Sequence, residues 1–212
     1  MRVWVRFGRI LVRHGFDHVP VESALSGKSL VMDVMAGLRT ADRRLARRAI
    51  AWGPPWVRRV APAVEEAAEH TKLWWAAAAV MAATGRWRGR TAAAAGVTAM
   101  VTAQVLSNAV AKQLYRRRRP PQEWVPPKEL RDRPDTSSFP SGHTAAAFAF
   151  AGAVATVWPA AGAACGVSAV TVAAERIHSG AHYPADVAAG GVIGLATVPL
   201  VRAAPRLLRR GL

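Results

Sequence analysis

Five apolar, alanine-rich blocks divide the chain after its first third, and basic residues flank them repeatedly. The blocks comprise residues 73–84, 91–111, 143–158, 160–174 and 185–201. One of them has the roughly 20 residues that a helix needs to cross a bilayer, and the others are shorter. Alanine-rich helices can also be buried in a soluble bundle, but recurring blocks with basic flanks favour membrane spans. We therefore predict an all-α, polytopic membrane helical bundle with about five to six core helices.

The segment before the first block predicts an N-terminal extension, residues 1–70, ahead of a catalytic domain, residues 71–212. Helices within the extension are expected over residues 2–13, 30–35, 40–52 and 56–70. The first of these has arginines along one face, as interfacial helices do, although a poorly ordered extension is the alternative. Residues 16–37 lack a clean period and are interpreted as a linker around the short second helix.

The formal net charge of +16 indicates an anionic partner, which could be nucleic acid, a membrane surface or a substrate. Because 51% of the residues are hydrophobic and lie in long blocks, we expect a membrane and an anionic substrate, and no nucleic acid. The single cysteine, Cys165, lies inside an apolar block. One cysteine excludes an intrachain disulfide and a cysteine-based metal site.

The stretch from Arg176 to Asp186 places a cation, a histidine and a carboxylate between two apolar blocks. His182 and Asp186 are four residues apart, so on a helix they would share one face. A carboxylate beside an imidazole fixes its tautomer and stabilises its charged form, which prepares a histidine to act as a base or nucleophile. A structural hydrogen bond is the alternative for such a pair, and His178 nearby is expected to bond locally.

A second stretch, Pro140-Ser-Gly-His143, directly precedes another apolar block and is typical of a helix start. Unpaired N–H groups in a first helical turn bind anions, and Gly142 lets a ligand approach the backbone. The alternative is a plain helix cap with His143 exposed to solvent.

A third stretch runs from Lys112 to Pro120 and includes four consecutive arginines at residues 116–119. Lys112 and Arg119 are seven residues apart, so we expect them two turns apart on one helix face, with Pro120 ending the helix. Two cations on one face suit a phosphate group. The arginines at 116–118 fit either this chemistry or a positive flank of a membrane helix.

Together, the patterns K-x6-R-P, P-S-G-H and R-x5-H-x3-D resemble the type 2 phosphatidic acid phosphatase (PAP2) superfamily. That superfamily includes membrane lipid phosphate phosphatases, soluble bacterial acid phosphatases and vanadium haloperoxidases. The matching residues are Lys112, Arg119, Ser141, Gly142, His143, Arg176, His182 and Asp186. The resemblance covers roughly residues 72–200. One departure is Glu175, which stands before Arg176 where many members have serine.

The resemblance implies hydrolysis of a phosphate ester in two steps, without a metal or another cofactor. His182, oriented by Asp186, would attack phosphorus, and His143 would protonate the leaving oxygen and then activate water. The phosphate oxygens would be held by Lys112, Arg119, Ser141, Gly142 and Arg176. The favoured substrates are lipid phosphates or diphosphates, such as phosphatidic acid or polyprenyl carriers.

Two other functions stay open at this point: a soluble small-molecule phosphatase or haloperoxidase, and a catalytically silent membrane scaffold that binds anionic lipid. The favoured interpretation is an integral protein of a bacterial cell membrane, with the side of the site and the oligomeric state undetermined. Two returning spans would bring the first and third motifs to one face. The proline-rich loop over residues 115–139 is expected to cover the site.

Overall fold

The computed structural model describes the backbone of residues 21–127 and 136–210, and the side chains of residues 29–109, 111–127 and 136–203. The chain forms two compact units, Met1–Arg39 and Thr40–Leu212. All regular elements in the described ranges are helical. The helix predicted over residues 2–13 lies outside the described residues, and the division at residue 70 stays a prediction.

Helix α1 (Val21–Ala51) contradicts the predicted linker, because residues 21–37 are continuously helical. Isolated glycines such as Gly27 and Gly37 cost only about 1 kcal/mol each in a helix, so they weaken it without ending it. The predicted end of this helix before Gly53-Pro54-Pro55 is confirmed. Helix α2 (Pro55–Ala68) begins with proline at its first position, where no backbone N–H is needed.

Helix α3 (Lys72–Thr84) and helix α4 (Arg86–Gln104) are separated only by Gly85. Three arginines and a glycine over residues 86–90 predict a polar turn in the sequence, but these residues form the start of α4. Any Cβ added at Gly89 would lie under 3.0 Å from the Met81 carbonyl oxygen, so glycine allows α4 to double back closely on α3. A π-helix (Val105–Ala111) and the single turn α5 (Lys112–Leu114) continue α4.

Helix α6 (Gly142–Val157) is the central element, followed by α7 (Pro159–His178) and α8 (Pro184–Arg210). It packs against α4, α7 and α8. Phe150 of α6 is fully buried and lies 5.3 Å, between ring centroids, from Trp74 of α3. Helix α6 is thus packed on several sides.

Two glycines bring the backbones of α6 and α8 into direct contact. A Cβ added at Gly190 or Gly194 would lie under 3.0 Å from the carbonyl oxygen of Ser141 or Ala145, respectively. Gly191 does not share this role, because its nearest neighbour would be the Phe148 ring at 3.9 Å. The close approach sets the first turns of α8 beside the start of α6.

Within the described residues, three helices are long and apolar enough to cross a membrane: Arg86–Leu114, Pro159–His178 and Pro184–Ala203. Helix α6 is a shorter apolar helix. Large apolar side chains on these elements point outward, including Val101, Val167 and Val192, as expected for surfaces that face lipid. The prediction of an all-α membrane helical bundle is confirmed.

Candidate active site

The start of α6 is built around Ser141, whose side chain is fully buried. Ser141 is the N-cap: its Oγ accepts from the Thr144 backbone N–H at 3.4 Å and lies 2.9 Å from the Thr144 hydroxyl. Its own N–H donates to the Asp186 carbonyl at 3.0 Å. The second and third motifs are therefore joined through the backbone.

Gly142 is confined from the side of the π-helix. A Cβ at this position would lie 2.9 Å from the Asn108 Oδ1 atom. This neighbour is the end of a flexible, exposed side chain that can move aside, so the contact alone does not require glycine at this position. Asn108 therefore borders the start of α6, a place that the sequence assigned only to contacts between helices.

His182 lies in the short loop between α7 and α8 and is almost fully buried. Its Nδ1 atom is 2.6 Å from the Ser138 carbonyl oxygen, and its backbone N–H donates to the Arg176 carbonyl at 3.0 Å. A carbonyl oxygen can only accept, so Nδ1 must carry the proton. The unprotonated Nε2 of the neutral ring is then left with a lone pair, which a nucleophile requires.

The expected orientation of His182 by Asp186 is not what the structure shows. His182 precedes α8, so the two residues do not share a helix face, and the distance from Nδ1 to the Asp186 Oδ2 atom is 3.9 Å. This distance is too long for a hydrogen bond. The fully buried carboxylate instead accepts from the Tyr183 backbone N–H at 2.9 Å and from the Arg117 guanidinium at 2.7 Å. The Ser138 carbonyl, and not Asp186, therefore fixes the tautomer of His182.

Lys112 and Arg119 also occupy positions different from those predicted. The helix ends at Leu114, so only Lys112 is helical and Arg119 lies in the following extended segment. The guanidinium of Arg119 donates to the Ala181 carbonyl at 2.9 Å and to the Thr136 hydroxyl at 3.3 Å. Arg119 is thus bonded to Ala181, the residue before His182. It reaches this position from an extended segment, and not from the helix face that it was expected to share with Lys112.

A cavity of about 770 Å³ lies along this basic segment. It is lined by Asn108, Lys112, Gln113, Arg116, Arg117, Arg118, Arg119, Pro120, Gln122, Thr136 and Ser137. Five of these side chains are cationic, so the cavity suits a dense anion. The loop residues that were expected to cover the site contribute to its wall, while residues 128–135 lie outside the description.

Arg176 is buried at the end of α7 between two carboxylates. One is its neighbour Glu175, at 2.5 Å, and the other is Glu65 of α2, at 3.1 Å. A buried guanidinium requires such partners. The glutamate that departs from the family pattern therefore binds the arginine directly, and Glu65 is part of the same cluster.

Positive charge converges on the two histidines. Lys112, Arg119 and Arg176 all act electrostatically on His143, and His143 acts in turn on His182. The pKa of His182 is lowered well below 6.5, first by burial and then by Arg119, against the opposing effect of the Ser138 carbonyl. His182 is consequently neutral at neutral pH, and charges from the first and third motifs influence both histidines, although neither histidine lines the cavity described above.

Arg117, whose role sequence reasoning left undecided, makes the most contacts among the arginines of residues 116–118. Its two terminal nitrogens bind Asp42 of α1 at 2.6 Å and Asp186 at 2.7 Å, and its Cζ lies 4.0 Å from the centroid of the Tyr183 ring. Burial lowers the pKa of Arg117, but the two carboxylates outweigh it and raise the pKa overall. A run of four arginines carries no signal that singles out the second one.

The fold is similar to those of two solved structures. One is described as the first transmembrane PAP2 type phosphatidylglycerolphosphate phosphatase from Bacillus subtilis, with 22% identity, a TM-score of 0.61, and coverage of 80% of this chain and 87% of that one. The other is Aquifex aeolicus LpxE, with 22% identity, a TM-score of 0.59, and coverage of 74% and 92%. At these identities, the likeness concerns the fold.

No curated protein sequence matches the chain closely. The model of the PAP2 superfamily, however, matches residues 92–210, which is more than half of the chain and includes all eight signature residues. The matched region begins within α4 and ends with α8. On the strength of this match, the chain belongs to the PAP2 superfamily.

Proposed function

We propose that the protein is a metal-independent membrane phosphatase that hydrolyses lipid phosphate or diphosphate monoesters through a phosphohistidine at His182. One observation carries the proposal: the Ser138 carbonyl fixes the Nδ1–H tautomer of a neutral, buried His182 beside the cations of the first and third motifs. A neutral imidazole whose Nε2 keeps its lone pair is equipped to attack phosphorus.

In the first step, the Nε2 lone pair of His182 forms the N–P bond while the P–O bond to the lipid breaks. The leaving oxygen takes a proton from the His143 imidazolium, which the negative charge of the bound phosphate favours. Asp186, at 3.9 Å, stabilises the positive charge that develops on His182.

In the second step, His143 accepts a proton from water as the water oxygen attacks phosphorus. The N–P bond breaks, its electron pair returns to Nε2, and inorganic phosphate leaves. Lys112, Arg119 and Arg176 hold the non-bridging oxygens, together with the Ser141 hydroxyl and the Gly142 N–H. Phosphoryl transfer needs mainly this positioning and neutralisation of charge, which is why the mechanism requires no metal.

A lipid substrate is supported by the setting of the site. The start of α6 and the loop before α8 lie at the ends of apolar helices, two of which are long enough to cross a bilayer. The structural neighbour from Bacillus subtilis is described as a phosphatidylglycerolphosphate phosphatase, and its substrate is a lipid phosphate monoester. Phosphatidylglycerolphosphate, phosphatidic acid and polyprenyl (di)phosphates are therefore the first candidates.

Phosphate release from these lipids, presented in detergent micelles, tests the proposal. The wild-type protein should release phosphate from at least one of them, and His182→Ala should lower kcat by roughly 10⁴-fold, as expected when a nucleophile is removed. The thermal unfolding of the variant in detergent provides the control for folding. Wild-type turnover in a folded His182→Ala variant would exclude the phosphohistidine, and release only from water-soluble phosphates would favour the small-molecule phosphatase.

A further inference from the structure

Asp42 is a buried carboxylate of α1 that lies well before the segment matched by the superfamily, residues 92–210. The sequence placed it in an N-terminal extension and gave it no role. Ionised side chains are rarely buried unless they are paired. Its partners therefore indicate what it does.

Both oxygens of Asp42 are bonded to parts of the candidate active site. Oδ2 accepts from the Arg117 guanidinium at 2.6 Å, and Oδ1 accepts from the Ala185 backbone N–H at 2.9 Å. Ala185 lies in the first turn of α8, directly before Asp186. A carboxylate at this end of a helix is also favoured by the helix dipole.

Arg117 links Asp42 to the loop that contains His182. Its second terminal nitrogen donates to Asp186 at 2.7 Å, and its guanidinium stacks over the ring of Tyr183 at 4.0 Å. Tyr183 follows His182 in the chain, and its N–H is bonded to Asp186. Asp42 is thus linked to the start of α8 in two ways. It binds the Ala185 backbone N–H directly, and it is connected to Asp186 and Tyr183 through Arg117.

We propose that Asp42 is a positioning residue for the nucleophile: it fixes Arg117 and the first turn of α8, so that Asp186 and His182 keep their places. The inference rests on the proposed function, because it assigns the network to the step that His182 performs. None of the phosphate-holding groups bonds to Asp42 in the contacts described above. Asp42 should therefore affect the attack on phosphorus and leave the binding of phosphate unchanged.

Removal of the charge with little change of shape provides the test. Asp42→Asn retains an oxygen for the Ala185 N–H but deprives Arg117 of one of its two carboxylates. Because small displacements of a nucleophile cost up to about 100-fold in rate, we expect kcat to fall about ten-fold while KM stays within about two-fold. Asp33→Asn, at an exposed position of the same helix, is the matched control and should behave as the wild type.

Two inhibitors separate positioning from general damage, and neither requires the natural substrate. Vanadate mimics the five-coordinate phosphorus and needs a correctly placed His182, whereas inorganic phosphate needs only the cations. In Asp42→Asn the inhibition or dissociation constant of vanadate should rise about ten-fold, and that of phosphate should be unchanged. Arg117→Lys, which keeps the charge but cannot bridge two carboxylates, should show the same split.

A wild-type kcat and vanadate constant in Asp42→Asn would overturn the inference, and so would an equal weakening of vanadate and phosphate binding. If Asp42→Asn does not yield folded protein, Arg117→Lys decides by the same criteria. Failure of the wild-type protein to hydrolyse any lipid phosphate is a separate result, which would count against the proposed function.

Discussion

Gly190 offers the sharpest test of how the fold builds the site. A methyl group at this position would lie under 3.0 Å from the Ser141 carbonyl oxygen, a backbone atom that cannot rotate away. Overpacking of this kind costs about 1–3 kcal/mol, and the better helix propensity of alanine offsets about 1 kcal/mol. We expect Gly190→Ala to be destabilised by about 0–2 kcal/mol, with α8 displaced from the start of α6.

The larger effect of Gly190→Ala should be on catalysis. The contact lies beside the 3.0 Å hydrogen bond from the Ser141 N–H to the Asp186 carbonyl, which joins the second and third motifs. Because a displacement of about 1 Å can cost 100-fold in rate, we expect kcat for phosphate release to fall about ten- to 100-fold. Stability is measured in parallel by thermal unfolding in detergent.

Gly191→Ala is the matched control, because the nearest atom to its added methyl group would be 3.9 Å away. It should be stabilised by up to about 1 kcal/mol through helix propensity and keep wild-type activity. Equal activity in the two variants would refute the argument that the backbone contact between α6 and α8 sets the geometry of the site.

Three further predictions concern the charges of the site. Because burial and Arg119 lower the pKa of His182, its neutral form persists well below pH 6.5. The fall of kcat/KM on the acid side that is due to protonation of His182 should therefore occur below pH 6.5. A fall due to His182 at or above this pH would contradict the reasoning. Glu65→Gln should bind phosphate about two- to five-fold more tightly, since Arg176 loses a competing carboxylate worth about 0.5–1 kcal/mol, whereas Glu66→Gln should not change the phosphate inhibition constant. EDTA should leave phosphate release unchanged and vanadate should inhibit it; strong inhibition by EDTA would count against a metal-free site.

The sequence predicts the helices well where apolar blocks and prolines coincide. Pro159 was expected to separate two helices and stands at the first position of α7. The prediction was wrong over residues 86–90, where basic residues lie inside a helix. Charged residues of a helix cannot be distinguished from those of a turn in the sequence when it is not known which face of the helix is exposed to solvent. It was wrong again over residues 21–37, where glycines were taken as breaks in a helix that tolerates them.

For the site, the order of the motifs identified the residues but not their contacts. Spacing suggested that Lys112, Arg119 and the two histidines act together, which stays a prediction, and it placed Arg119 on a helix that ends at Leu114. The partners of Arg117 and Arg176 could not be read from the sequence at all. Asp42 and Glu65 are distant along the chain, and only the packing of α1 and α2 brings them to these arginines.

The most informative discrepancy is the division of tasks around His182. The sequence assigned two tasks to Asp186, namely to fix the tautomer and to stabilise the charged ring. In the structure, the Ser138 carbonyl performs the first task at 2.6 Å. Asp186 has both oxygens engaged, by Tyr183 and Arg117, and its carboxylate lies 3.9 Å from the ring.

This separation has a chemical consequence. A carboxylate bonded directly to Nδ1 would raise the pKa of the imidazole strongly, whereas a carbonyl at Nδ1 raises it less. The ring can therefore remain neutral before the attack, and the fixed charge of Asp186 still stabilises the cation that forms on phosphorylation. That charge is useful only while Arg117 and Asp42 keep the carboxylate in place. Contacts from chain segments that are far apart in sequence thus act together on the protonation state of the His182 ring.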